Sequence, residues 1–95
     1  PNYCSSNNWI NLIRINKKKY KKNIKQLIKI FTNHRVQVRP VWFLNHLQKP
    51  YKNFERYNIL QAKKILDTTL CLPSSPSLQN LNVKKIINIL KKYQG

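Results

Sequence analysis

The spacing of apolar residues along this chain switches several times between a period of two and one of three to four, and that switching limits the folds open to it. From Trp9 to Ile15 the residues alternate, with Trp9, Asn11, Ile13 and Ile15 on one face and Ile10, Leu12 and Arg14 on the other. Their β-branched content favours a strand, and because both faces are mostly apolar the pattern points to a central one. Asn16 to Lys19 reads as a polar turn. Tyr20, Ile24, Leu27, Ile28 and Phe31 then recur at helical spacing opposite Lys21, Lys22, Lys25, Gln26 and Lys29, which predicts an amphipathic helix over residues 20–33. Val36 to Trp42 returns to a strand pattern, and Pro40 within it demands an edge or a bulge because proline has no N–H to give the ladder.

Phe43 to Tyr57 shows no period and reads as a long loop, with Pro50 in its middle and aromatics along it; long ordered loops in small domains are usually functional. Ile59, Ala62, Ile65, Leu66 and Leu70 predict a second helix capped by Asn58. Cys71-Leu72 makes a very short strand stopped by Pro73-Ser74-Ser75-Pro76. Val83, Ile86, Ile87, Leu90 and Tyr93 define a last helix capped by Asn80 or Asn82. The order β-α-β-loop-α-β-α predicts a single α+β domain over residues 1–95. It is a small, mostly antiparallel three-stranded sheet with three helices on one face. A right-handed crossover leaves the short third strand room between the first two. The opposite sheet face has no helix left to cover it, as in a domain that docks on a larger body.

Ninety-five residues hold one modest core, since a chain of this length buries only roughly 60 to 65% of its unfolded surface. The 19 Lys and Arg stand against two acids, Glu55 and Asp67, for a net charge of +17, which by itself suggests a polyanionic partner. Lys, Asn and Ile fill 39 positions, however, as an AT-rich coding sequence would dictate, so part of the basicity is codon bias. Cys4 and Cys71 have no C-x-x-C and no matching histidine spacing, so neither a zinc site nor a disulfide framework is indicated, and a reduced, cytoplasmic setting is the default. No apolar run approaches the ~18 residues of a membrane span. The chain has no methionine, and Pro1-Asn2-Tyr3-Cys4 reads as mid-protein sequence.

Val38 to Gln48 concentrates the chemistry. Arg39 offers a planar fork of donors for phosphate or carboxylate, or it is a strand arginine lying on the sheet. His46 can hydrogen-bond a sugar hydroxyl in either protonation state, or it fills a turn. Trp42 and Tyr51 can stack on a base or a sugar ring, or they are core. His34, at the end of the first helix, reads as a favourable C-terminal charge and not as a site residue. Lys17, Lys18, Lys19, Lys21, Lys22 and Lys25 form either a solvated helix face or an anion-binding run; the same basic helix could lie on an acidic membrane surface.

Arg39-Pro40-Val41-Trp42, His46-Leu47-Gln48, Pro50-Tyr51-Lys52 and Leu70-Cys71-Leu72-Pro73-Ser74-Ser75, in that order, resemble the C-terminal small domain of pyridoxal-phosphate sugar-nucleotide aminotransferases of the DegT/DnrJ type, within fold-type I. The likeness is greatest to the perosamine-synthase-like branch, which aminates 4-keto sugar nucleotides for surface polysaccharides. It implies that Arg39, Trp42, His46 and Tyr51 contact a sugar-nucleotide substrate. The cofactor lysine and the phosphate cup would belong to a large domain absent from these residues, so this chain alone would bind no pyridoxal phosphate and catalyse nothing. Its partners would be that large domain and a second subunit of a homodimer. Asn8-Trp9 corresponds to a segment near the cofactor cleft and is otherwise structural.

The departures from that pattern are informative. Arg35 stands where relatives place a glycine after the first helix, at a cost of roughly 1 kcal/mol if the left-handed conformation is kept. Tyr57 replaces another expected glycine, and Asn58, Lys63, Asn80 and Asn82 replace acidic residues beside the later helices. A free-standing basic nucleic-acid-binding module is the alternative; no helix-turn-helix glycine, RNP-type aromatic pair or zinc spacing accompanies it.

Overall fold

A computed structural model describes residues 2–94. In chain order the elements are strand β1 (Asn11–Arg14), helix α1 (Ile24–Asn33), strand β2 (Arg39–Pro40), two 3₁₀ turns (Asn45–Leu47 and Lys49–Tyr51), helix α2 (Leu60–Leu66), strand β3 (Thr69–Leu72) and helix α3 (Asn80–Lys92). The sheet order is β1-β3-β2, with β3 antiparallel to both neighbours. This is the expected α+β arrangement of three helices and a three-stranded antiparallel sheet.

Several boundaries move, each for a physical reason. The first helix begins at Ile24 and not at residue 20, because Asn23 closes a capping box: its side chain accepts from the Gln26 N–H at 2.9 Å while Gln26 Oε1 accepts from the Asn23 N–H at 3.0 Å. Tyr20 keeps the helical spacing but serves another end of the molecule. It bridges to Gln94, and its hydroxyl donates to the Leu90 carbonyl at 2.7 Å. The lysine run from Lys17 to Lys22 therefore lies in the turn before α1 and not on a helix face.

At its other end α1 closes with a complete Schellman motif. The Val36 N–H reaches the Phe31 carbonyl and the Arg35 N–H the Thr32 carbonyl, both at 2.9 Å, and Arg35 takes the left-handed conformation at φ 57°. An arginine there costs about 1–2 kcal/mol relative to glycine.

The expectation of a central β1 is overturned. β3 is the middle strand, with Thr69 and Leu70 buried, whereas β1 is an edge that leaves Asn11, Leu12 and Arg14 exposed. Apolar residues on both faces of β1 do not make it central, because Leu12 on one of those faces stays exposed. β2 is only two residues long, not the seven of Val36 to Trp42, because the ladder cannot continue past Pro40.

Helix caps also differ from expectation. α2 has Ile59 at its N-cap and no side-chain bond there, while Asn58 is left-handed at φ 46°. α3 has Gln79 at its N-cap, again without a side-chain bond, and Asn80 and Asn82 fall inside the helix. α2 stops at Leu66, and Thr68 turns its hydroxyl back to the Lys64 carbonyl at 2.7 Å, which frees Thr69 and Leu70 to join β3.

The core lies on one side of the sheet. Ile24, Leu27 and Phe31 of α1 and Ile86 and Ile89 of α3 close with Ile15, Val38 and Leu70 into one buried cluster. Each such side chain contributes about 1.5–3 kcal/mol by leaving water. α2 adds no buried residue. Many large apolar groups stay outside, including Trp9, Leu12, Trp42, Phe43, Phe54 and Leu60. The accessible surface of 8463 Å² exceeds the roughly 5,800 Å² of a folded monomer of this size. The radius of gyration, 15.7 Å, likewise exceeds the about 12 Å of a compact 95-residue domain.

Burial, and then the neighbouring Tyr93, push the Tyr20 phenol above its ordinary value of 10.0. The folded chain thus holds that proton more tightly than the unfolded one. Its contribution to stability is complete below pH 10.0 and is lost as pH rises through the higher folded value. Tyr20→Phe should cost about 1 kcal/mol at neutral pH, from the lost hydrogen bond to Leu90. Thermal melts across this range should show the gap to wild type closing on the alkaline side; a constant gap would contradict the assignment.

Candidate functional site

A cavity of about 830 Å³ opens beside the sheet, within the size range of small-molecule sites. Four segments build it: the approach to β1, the link from α1 into β2 and on to Trp42, the exit from β3, and the first turns of α3. The approach to β1 is set by short polar turns, in which Asn7 Oδ1 accepts from the Trp9 N–H at 3.1 Å and Asn8 is left-handed at φ 53°. Ser74, just after β3, donates its hydroxyl to the Trp9 carbonyl at 2.9 Å and so ties two walls together. Arg39 reaches the rim because it sits opposite Cys71 in the sheet register.

Three cations line the cavity: Arg35, Arg39 and Lys85. Among the described residues no acid does. Asp67 instead lies 3.8 Å from Lys17, and Glu55 is exposed in the loop. Lys85 Nζ donates to the His34 carbonyl at 2.8 Å, capping the C-terminal end of α1 and bringing its charge beside Arg35. His34 thus enters through its backbone. Trp9 and Trp42, both largely exposed, supply two indoles. Burial raises the pKa of the Cys71 thiol, which donates weakly to the Pro40 carbonyl at 3.8 Å, so the wall carries a neutral thiol and not a nucleophilic thiolate. The arrangement can bind and orient an anionic, ring-bearing molecule.

Of the four residues singled out by sequence, Arg39 and Trp42 come together at this cavity. His46 and Tyr51 do not line it. His46 is half-buried in the first 3₁₀ turn, and Tyr51 in the second packs its ring 6.4 Å from that of Phe54. Sequence reasoning did not bring forward Arg35 or Lys85 as site residues, and it placed Trp9 near a cleft only through the resemblance. Arg35 carried a signal, an arginine where a left-handed residue is needed; Lys85 carried none, since only the packing of α3 beside α1 brings it to His34. Among the described residues no cluster could hold a metal ion, and no helix is long and apolar enough to cross a membrane.

The fold and its basic, indole-walled cavity define a small α+β domain that presents an anion-receptive face. The sequence matches the DegT/DnrJ/EryC1/StrS aminotransferase family over residues 2–91, and the chain belongs to that family. A comparison with curated proteins finds no match.

The family is generally dependent on pyridoxal phosphate, and the lining tests whether that group belongs here. A pyridinium nitrogen needs a carboxylate partner, and among the described residues the cavity has none. Its one lysine, Lys85, sits exposed at the end of α1. The residues present do not fit the cofactor.

Proposed function

We propose that this chain is the C-terminal domain of an aminotransferase acting on 4-keto sugar nucleotides in surface-polysaccharide biosynthesis, of the perosamine-synthase-like branch. It supplies substrate contacts and no catalytic lysine. Pyridoxal phosphate on a large domain would supply the carbanion chemistry when bound. The residues of this chain bind and orient: Arg39 pairs with phosphate oxygens and Trp42 covers a ring at the cavity, whereas His46 and Tyr51, also expected as substrate contacts, lie on the loop outside it. The observation that carries the reading is the placement of Arg39 and Trp42 on one acid-free cavity in a member of this family. The exposed Trp9, Leu12, Trp42, Phe43, Phe54 and Leu60 support docking on a larger body. That cover would come from the large domain and a second subunit of a cytoplasmic homodimer.

Fusing residues 1–95 to the large domain of a family aminotransferase tests this. The chimera should aminate a 4-keto sugar nucleotide, and Arg39→Ala should raise its KM about ten- to a hundredfold with kcat little changed. A folded, cofactor-loaded chimera that aminates no such substrate would defeat the reading. A KM indifferent to Arg39→Ala and Trp42→Ala would defeat the site assignment.

A further inference from the structure

We propose that a second cavity, of about 340 Å³, binds a small amphiphile with a carboxylate head and a single alkyl chain, such as a medium-chain carboxylate. It shares no lining residue with the 830 Å³ cavity and stands whether or not the aminotransferase reading does. Its walls are mainly aliphatic. Ile13 and Ile15 come from β1 and its exit, Ile87 and Leu90 from α3, and the Tyr20 side chain from the turn before α1. Ile87, Leu90 and Lys91 follow the spacing that puts side chains on one helix face, so a single stripe of α3 brings both apolar wall and cation to the cavity.

The walls are tied together before any ligand arrives. Tyr20 bridges to Gln94, its hydroxyl donates to the Leu90 carbonyl at 2.7 Å, and the Lys21 N–H donates to the Tyr93 carbonyl at 3.1 Å. Binding there orders little of the chain, which favours a small ligand.

Charge selects the head group. Arg14, Lys19 and Lys91 line the cavity, and among the described residues no acid does; Asp67 is engaged with Lys17 at 3.8 Å. Arg14 uses its Nε on the Thr68 hydroxyl at 3.3 Å and keeps its two terminal amino groups. Neither the Lys19 nor the Lys91 ammonium has an acceptor among the described residues. Cations around an aliphatic floor complement an anionic head on an apolar tail, and a guanidinium fork takes a carboxylate in paired hydrogen bonds. The plainer role for Lys91 is to offset the carbonyl end of α3.

Isothermal titration of the 95-residue chain with octanoate at constant ionic strength separates the two. Octanoate should bind saturably, butyrate at least about tenfold more weakly, and octylammonium not at all. Both tryptophans line the other cavity, so their fluorescence should stay unchanged. Lys91→Gln and Lys19→Gln should each weaken octanoate binding about five- to tenfold. Ile87→Gln should erase the advantage of octanoate over butyrate, whereas Lys52→Gln, the same charge change in the distant loop, should alter nothing.

A Lys91→Gln chain that melts earlier but binds as before overturns the proposal, because the lysine then serves only the helix end. Absence of saturable octanoate binding overturns it too, as does equal binding of octylammonium or an equal loss in Lys52→Gln. Binding that changes tryptophan fluorescence and survives both Lys19→Gln and Lys91→Gln places octanoate in the larger cavity and removes this site. If Lys91→Gln unfolds, Lys19→Gln decides, and unchanged affinity in it overturns the assignment. Sedimentation with phosphatidylglycerol vesicles but no octanoate response would replace the cavity by a membrane-facing surface.

Discussion

Replacing Phe31 with alanine should abolish the cooperative thermal transition of this chain. Phe31, Leu27 and Leu70 are its largest fully buried side chains, and Phe31 belongs to the core cluster that gathers residues of α1, α3 and β3. Truncating a buried phenylalanine costs about 3–5 kcal/mol, from lost transfer energy and the cavity left behind. Ordinary domains hold only about 5–15 kcal/mol in total, and a small domain sits near the lower bound. The backbone turn at the end of α1 is no protection. The Val36 N–H would still find the carbonyl of residue 31, but the cluster against which Val36 packs would have lost its phenyl ring. Circular dichroism against temperature and urea checks this. A two-state melt within about 1 kcal/mol of wild type would show that the buried cluster is not what holds the chain together.

Thr69→Val should act in the opposite direction and stabilise the chain by about 1–3 kcal/mol. Thr69 is 4% exposed, and its hydroxyl is the buried side-chain oxygen that has no hydrogen-bond partner among the described residues. A buried hydroxyl without a partner keeps its desolvation penalty and gains nothing in return. Valine has nearly the same shape, keeps the β-branching that suits the middle strand, and leaves the register opposite Arg14 intact. The neighbouring Thr68 is the internal control. Its hydroxyl donates to the Lys64 carbonyl and accepts from Arg14 Nε at 3.3 Å, so Thr68→Val should destabilise. Urea midpoints of the two variants against wild type decide it; a loss of stability in Thr69→Val would mean that the hydroxyl has a partner in solution.

Much of the architecture was legible because it follows from local periodicity. The order of elements, the antiparallel third strand between the other two, and the edge or bulge demanded by Pro40, met here as an edge, all follow from period, connection length and a missing N–H. The strain at Arg35 was anticipated only through the resemblance, which places a glycine there and left open whether the left-handed conformation is kept; the structure keeps it at φ 57°. The start of α1 was not legible, because Tyr20 keeps the apolar spacing of a helix while its ring and hydroxyl are used against Leu90, seventy residues on. The caps at Asn58, Asn80 and Asn82 failed for a related reason, since a capping residue type says nothing of where the preceding loop delivers the chain.

The sequence by itself determined the α+β class and brought forward Arg39 and Trp42, because residue period and side-chain chemistry are properties of neighbours along the chain. Only the tertiary structure decided that Trp9, Arg35 and Lys85 share one cavity with them while His46 and Tyr51 stand apart. It also decided that β1 lies at an edge with Leu12 exposed. Those outcomes depend on how α3 and the exit of β3 pack against segments dozens of residues away, and that packing is chosen by the burial of Phe31, Leu27 and Leu70 together, not by any one stretch alone.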